Sequence, residues 1–554
     1  MRLDYDNGYY EGQVNFHRER EGQGSYYWTN GNFYVGSWKN GTRDGYGKMT
    51  YASGAYYEGE WKDGKMHGRG RYVWGSSNYY EGELQGGVFL GHGVRIWEDG
   101  ARYEGEWKDD KMHGDGKYTH PNGTSYEGSF HEGQYHGWGV YVFSDGYRYE
   151  GDFLHGKRTG HGKLISPKGD VFEGEWADGK KEGKGVMVWA DGTRYEGDYH
   201  NGYMHGNGTY SFANGDVYCG EFAEGCFCGK AVFRSHTGFV HEGQWRNDKR
   251  NGEGVLTWSE NNYYRGHFVD GNFGGYGVRV WENGSTYEGE WREGRMHGTG
   301  KYTWPNGTYH EGEFKEGKYH GYGFHVYNDN GTYEGTFSEG MREGTGKLTL
   351  PEGRTYEGEF KADSYHGKGV MTWPDGARYE GEWHDGERHG MGHYTAPDGY
   401  SYTGSYKNGK ASGEGVAVYS DTSSYKGQWQ DGQRNGKGRY TFVDGTYHEG
   451  YFVNGDYNGY GEHTYSDGKM YCGEWFDDMW QGDGVLSWPD GTRHEGYFEE
   501  DDVKGYGIRT TPDGTVYEGI WEDEDNAGEI VCTHPDGTAE EGRFVNGAFV
   551  ANPK

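Results

Sequence analysis

Along this chain large rings alternate with charged residues at a period of two, as in Tyr57-Glu58-Gly59-Glu60-Trp61 and Tyr379-Glu380-Gly381-Glu382-Trp383. A strand sends successive side chains to opposite faces, so such a segment puts both rings and the central glycine on one face and both acids on the other. Two kinds of turn punctuate these segments. One follows the second ring, as in Asp63-Gly64, Asn201-Gly202 and Glu293-Gly294; the other reads Pro-Asp-Gly or a variant, as in Pro374-Asp375-Gly376, Pro489-Asp490-Gly491 and Pro512-Asp513-Gly514. Between them a Gly-x-Gly opens a second strand, as in Gly367-Lys368-Gly369-Val370-Met371-Thr372-Trp373. The pattern predicts strand, turn, strand, turn rather than helices.

Taking the central glycine as position zero, the unit recurs every 23 residues from Gly36 to Gly542, and Gly12, with one extra residue after it, brings the total to 24 units. An aromatic stands at +2 in 22 units, Val14 and Leu84 being the exceptions, while Tyr stands at −2 and Glu at −1 in 18 units each, so nearly every unit can join one ring seam. Nine of the ten prolines fall at +16, the start of the late turn, where they break no ladder. No single hairpin is stable alone, so the expected fold is all-β: an elongated single-sheet solenoid or meander of antiparallel hairpins, a twisted rod or ribbon with a contour of roughly 230 Å. The expected boundaries are an N-terminal capping repeat over 1–35, a continuous array over 36–541, and a C-terminal partial repeat and tail over 542–554. Looser or terminal units are expected where Ala231 and Ile530 replace the second Gly of Gly-x-Gly, where Ser77, Asn261 and Thr422 replace the late-turn Gly, and where Glu540 replaces Tyr.

Composition sharpens this picture. Glycine supplies 109 residues and only 32% of the chain is hydrophobic, yet 18% is aromatic, so burial falls to rings. Low hydrophobicity with a net charge of −33 would suggest disorder, but disordered chains are poor in aromatics. The start MRLDYDNGYYEG has no apolar core of a signal peptide, and no stretch approaches the length of a membrane-spanning helix, so a cytoplasmic location is expected. The six Asn-Gly-Thr/Ser triplets, from Asn40 to Asn330, are then turn chemistry. Cys219, Cys226, Cys228, Cys472 and Cys532 form no paired metal spacing and are expected as plain thiols.

The unit Tyr57-Glu58-Gly59-Glu60-Trp61, continued by Gly64, Gly68 and Gly70, resembles the MORN repeat (membrane occupation and recognition nexus), and the resemblance spans essentially the whole chain. Members of that family include junctophilins, plant phosphatidylinositol phosphate kinases, radial-spoke head proteins and protozoan cytoskeletal scaffolds. Where such a protein is an enzyme, a separate domain carries the chemistry. The resemblance therefore implies a non-enzymatic structural scaffold or adaptor of a cytoskeletal assembly, such as a cilium or flagellum axoneme. Such a scaffold would bind other proteins of the assembly and self-associate into homo-oligomers. The alternative is a peripheral membrane tether, binding acidic phospholipids through the basic residues of the early turn: Lys65, Lys111, Lys157-Arg158, Lys180-Lys181, Lys249-Arg250 and Arg434. About 1 kcal/mol per basic residue near an anionic leaflet must then outweigh repulsion from 33 excess acids. The same charge opposes nucleic acid.

No nucleophile triad, paired-acid or phosphate-loop arrangement stands outside the repeat consensus, so no catalytic, cofactor-binding or metal residue and no cofactor is expected. Histidine recurs at +8 in His67, His113, His136, His205, His297, His320, His366 and His389. Equivalent atoms of neighbouring units lie about 9–10 Å apart, too far to share an ion directly, and these residues are expected to serve the turns. A longer period of 184 residues aligns Gly93-Val94-Arg95-Ile96-Trp97 with Gly277-Val278-Arg279-Val280-Trp281, as duplication of eight-unit blocks would produce.

Overall fold

The computed structural model describes residues 1–553. It is all-β, with 49 strands and no helix among the described residues. The chain divides into two units, Met1–Gly275 and Tyr276–Lys554. In the first, strands such as Tyr56–Lys62 and Lys65–Gly75 pair antiparallel, Tyr57 opposite Tyr72 and Gly59 opposite Gly70. In the second the same register recurs: Ser364–Thr372 pairs with Arg378–His384, which pairs in turn with Glu387–Thr395.

The core of each unit is a seam of rings on one face. Tyr57 and Trp61 meet edge to face at 5.2 Å, and the preceding unit's Tyr34 meets Trp61 from the other side at 5.3 Å. In the second unit Trp383 stands between Tyr356 at 5.4 Å and Tyr379 at 5.1 Å in the same geometry. Perpendicular contacts set the positive ring edge on the negative face, the arrangement that aromatic quadrupoles favour. The polar ends of these rings are satisfied inside the sheet. Trp383 Nε1 donates to the Gly369 carbonyl at 3.2 Å, and the Tyr379 hydroxyl donates to the Glu382 carbonyl at 3.0 Å.

Glycine makes room for the hydroxyl. Gly358 and Gly369 face each other across two strands, and a Cβ on Gly369 would lie 2.2 Å from Tyr356 Oη, while one on Gly358 would lie 2.4 Å from Gly369 Cα. Ile530 occupies the place of Gly369 in its own unit, and there Tyr517 is only half-buried; the smaller Ala231 leaves Tyr218 fully buried, so that unit keeps its seam rather than loosening. Gly369→Val is therefore expected to tilt Tyr356 out of the seam and to cost about 1–3 kcal/mol of overpacking. Local hydrogen exchange across Thr355–Thr372 checks this against Gly376→Ala, which has no neighbour within 4 Å at its Cβ and suffers only from its positive φ.

Both turns follow from residue chemistry. Asp63 and Gly64 have φ of 50° and 80°, the paired left-handed conformations of a type I′ turn, whose twist matches the strands it joins. In the late turn the Gly376 amide donates to the Trp373 carbonyl at 3.0 Å with Gly376 at φ 95°, while the Asp375 carboxylate accepts from the Ala377 amide at 2.9 Å. Where Ser77 and Asn261 replace the late-turn Gly, the hairpin closes through two residues instead, with Gly75 paired to Asn78 and Ser259 paired to Asn262. These turns are thus tighter than the loosening expected from sequence, because a shorter loop no longer needs a left-handed residue. Glu540 is exposed, as a charged residue in a ring position must be.

Candidate binding face

The face opposite the rings owes its form to a bulge in every hairpin. Gly68, the first glycine of Gly-x-Gly, adopts φ 58°, and the register shifts between Gly59 and Trp61. The bulge leaves the amide at +10 without a ladder partner, and the acid at +1 supplies one. Glu60 accepts from the Arg69 amide at 3.2 Å, Asp198 from Asn207 at 3.0 Å and Glu359 from Lys368 at 3.1 Å. The acid at −1 has a different role, pairing with a base two strands earlier or on its own strand: Lys117 with Glu127 at 2.8 Å, Lys301 with Glu311 at 3.0 Å, Arg378 with Glu380 at 2.6 Å.

Large side chains at +10 stand out from this glycine-floored, acidic face. In the first unit Tyr46 is 60% and Trp138 59% exposed; in the second Tyr276, Tyr322, Met391, Tyr460 and Tyr506 are 55–60% exposed. Several reach the −1 position of the next repeat. Tyr276 donates to Glu288 at 2.9 Å and Tyr322 to Glu334 at 2.6 Å, while Tyr506 donates to Glu518. These hydrogen bonds to carboxylates push the three hydroxyls above the usual tyrosine range. A groove of about 580 Å³ in the second unit combines Lys426, Lys437 and Arg439 with Tyr451 and Tyr460. Rings held at the open side of a sheet, with donors and acceptors beside them, suit an extended or amphipathic protein segment.

The basic early-turn row lies elsewhere and is largely engaged within the repeat. Arg158 stacks 4.3 Å over Trp176 and donates to the Gly179 carbonyl at 2.8 Å. Arg250 and Arg434 donate likewise to the carbonyls of Gly271 and Gly455. Lys181 lies 4.4 Å over Phe172, and burial lowers its pKa. Of the neighbouring lysines, Lys157 pairs with Asp178 at 2.9 Å, Lys180 with Asn201 at 3.2 Å and Lys111 with Glu132 at 4.0 Å. Lys65 and Lys249 are exposed. The cause is the register: +7 faces the +2 ring across the bulge, as Lys181 faces Trp176, so a long cationic side chain there covers the seam.

The histidines at +8 are spaced as expected from one another, but other histidines stand between them. His113, His131, His136 and His155 form a row with ring separations of 5.1, 5.3 and 5.8 Å. His366, His384 and His389 form a second, at 5.1 and 5.6 Å. His131, His155 and His384 sit at +3 or +4, which a comparison of equivalent positions alone overlooks; pairing +9 of one repeat with +2 of the next would have placed them. Cys219 lies opposite Val232, Cys226 opposite Ala223 and Cys228 opposite Glu221, on three different rungs. No helix among the described residues is long and apolar enough to cross a membrane.

A family model for the MORN repeat matches twenty segments, nine running almost without interruption over 19–217 and eleven over 241–493. The unmatched stretch 218–240 nonetheless forms the same bulged hairpin, Val217–Ala223 against Cys226–Arg234. A search of the curated proteins finds no match. Among solved structures, the chain is similar to the TCP domain of Drosophila melanogaster SAS-4 in complex with a proline-rich motif of Ana2, with 14% identity, 27% of this chain and 83% of that one covered, and a TM-score of 0.20. It is also similar to the TCP10 domain of Danio rerio CPAP in complex with a STIL peptide (16%, 43% and 95%, 0.16) and to virginiamycin B lyase from Staphylococcus aureus (13%, 48% and 83%, 0.10). At such scores these likenesses bear on neither the function nor the partners of this chain.

Proposed function

Because the chain belongs to the MORN repeat family and is built almost wholly of that repeat, we propose that it is a non-enzymatic scaffold of a cytoskeletal assembly, such as a cilium or flagellum axoneme. It binds other proteins of that assembly along the face opposite its ring seam, and copies of it self-associate. The observation that carries this reading is the division of labour between the two faces. Rings at −2 and +2 are committed to packing, whereas rings at +10, as in Tyr322 and Tyr506, are more than half exposed and make no core contact that would explain their size. A net charge of −33 favours a partner segment with basic residues. It disfavours an anionic leaflet, and the bases that would hold such a leaflet are mostly stacked on rings or paired, as with Arg158 and Lys157.

Detergent extraction of cells expressing the full chain, set beside flotation of the purified protein with phosphoinositide-containing liposomes, tests this directly. Retention in the detergent-resistant fraction without flotation is the expected result. Release by detergent together with flotation would replace the scaffold by a membrane tether. Mass measurement over a wide concentration range tests self-association, and a monomer throughout would remove it.

A further inference from the structure

We propose that His366, His384 and Asp385 form a binding site for a first-row transition metal ion, Zn²⁺ or a similar divalent cation, joining two consecutive hairpins on the face opposite the ring seam. The donor atoms of the three residues all lie within 4.8 Å of one another, and among the described residues no other trio of histidine, cysteine and carboxylate donors closes to that distance. His366 Nδ1 lies 4.0 Å from Asp385 Oδ1, and His384 Nδ1 lies 3.4 Å from Asp385 Oδ2. A tetrahedral ion with bonds of about 2.0–2.2 Å needs donors somewhat over 3 Å apart, so side-chain rotation alone can complete the site.

An independent observation points the same way. His366 Nδ1 is buried and has no hydrogen-bond partner, although a buried polar nitrogen normally finds one. Coordination would satisfy it. Its backbone is held by the Tyr356 hydroxyl, which donates to the His366 carbonyl at 3.3 Å. The other side of the site is equally fixed. Asp385 sits in a left-handed turn at φ 48°, and the amide of the following Gly386 donates to the Tyr365 carbonyl at 2.9 Å, tying this turn to the strand that carries His366. His384 and Asp385 remain 60% and 76% exposed, which leaves an entry path and the freedom to close.

Two imidazoles and one carboxylate suit Zn²⁺, Cu²⁺ or Ni²⁺ better than Ca²⁺ or Mg²⁺, which prefer oxygen donors. His389, whose ring lies 5.6 Å from that of His384, is placed to provide a fourth donor; otherwise water completes the shell. The chemistry is that of a clip between repeats, because the ion would bind the folded register of two hairpins and not the unfolded chain. It stands apart from the scaffold reading, since it concerns neither the +10 rings nor a protein partner.

Calorimetric titration of the chelator-treated full chain with ZnCl₂ tests the site, using His384→Gln, Asp385→Asn and, as a control, His297→Gln. His297 occupies +8 like His366, but Lys315 rather than histidine stands at the facing +3 position. The expected result is that His384→Gln removes one equivalent of bound Zn²⁺, Asp385→Asn weakens that equivalent at least tenfold, and His297→Gln leaves the isotherm as in the natural chain. Far-UV circular dichroism confirms folding of each variant, and the exposed positions of the first two make loss of fold unexpected. Hydrogen exchange gives a second readout: Zn²⁺ should slow exchange in the turn at Asp385-Gly386 in the natural chain and not in His384→Gln. Zn²⁺ binding of unchanged stoichiometry and affinity in His384→Gln, or no binding by the natural chain at 100-fold excess metal, would overturn the proposal.

Discussion

Replacing Trp383 by Ala is expected to cost about 3–5 kcal/mol and to unfold the chain locally around Thr355–Lys407, while Glu380→Ala, three residues away, changes stability by less than about 0.5 kcal/mol. Trp383 is buried between Tyr356, Tyr365 and Tyr379, with ring separations of 5.4, 5.4 and 5.1 Å. Its removal opens a cavity that a β-sheet backbone cannot collapse to fill, and it also strands the Gly369 carbonyl that accepts from its indole nitrogen. Glu380 points the other way and is exposed, and its contact with Arg378 is a solvent-screened surface pair. Because each repeat contacts only its neighbours, the damage should stay within one or two hairpins on either side. Limited proteolysis followed by mass mapping checks this. Cleavage confined to the neighbourhood of Trp383 in the first variant, and a natural pattern in the second, is the expected outcome; equal sensitivity of both would mean that the faces are assigned wrongly.

Mild acid is expected to loosen four particular repeats before the rest. His241, His310, His448 and His494 occupy the seam position held elsewhere by Tyr, and each is fully buried with neither ring nitrogen hydrogen-bonded to a partner. Burial lowers their pKa values, to about 4 for His241 and to about 3 for the other three. Neighbouring cations add to the effect: Arg250 beside His241, Arg434 and His463 beside His448, Arg509 beside His494. A folded-state pKa below the ordinary value of 6.5 means that the unfolded chain binds the proton first. Stability is therefore complete above about pH 6.5 and falls as the pH drops toward 4, by about 2 kcal/mol for each of these histidines at pH 5.

Protonating carboxylates over the same range relieves the repulsion of a chain with net charge −33, which acts in the opposite direction but everywhere at once. The distinguishing signature is therefore local. Hydrogen exchange at pH 5 should rise relative to pH 7.5 around the four histidine repeats and not around Tyr379 or Tyr425. His494→Tyr should remove the effect at its own repeat, since a hydroxyl there can donate to the carbonyl at +1, as Tyr471 does to Glu474 at 3.0 Å. Uniform behaviour of tyrosine and histidine repeats would refute the seam role of these imidazoles.

The repeat was legible because its signals are local and redundant. Ring and acid alternation assigns the strands, Asp-Gly and Pro-Asp-Gly assign the turns, and a 23-residue period assigns the neighbours. Less legible was everything that depends on the bulge. Counting by twos from Gly59 does not reveal that Gly68 turns left-handed, that Glu60 caps the Arg69 amide, or that the +7 base is carried onto the +2 ring. For that reason Arg158 and Lys181 read in sequence as a surface edge, although they cover the seam. The histidine rows were hidden for the same reason. His366 and His384 are 18 residues apart and become neighbours only through the pairing of Gly367 with Trp383. The exposed rings at +10 carried a weaker signal still, because seven scattered aromatic or Met residues look like noise until the glycines beneath them are seen to form one face.

The measurement that bears most directly on the central claim is retention of the full chain in the detergent-resistant fraction after Tyr322, Met391, Tyr460 and Tyr506 are all changed to Ser. These side chains project from the face opposite the seam and are 55–59% exposed, so thermal unfolding should be unchanged. If that face is the binding surface of a scaffold, retention falls at least several-fold while the melting profile stays that of the natural chain. Full retention with the four rings removed would contradict the account.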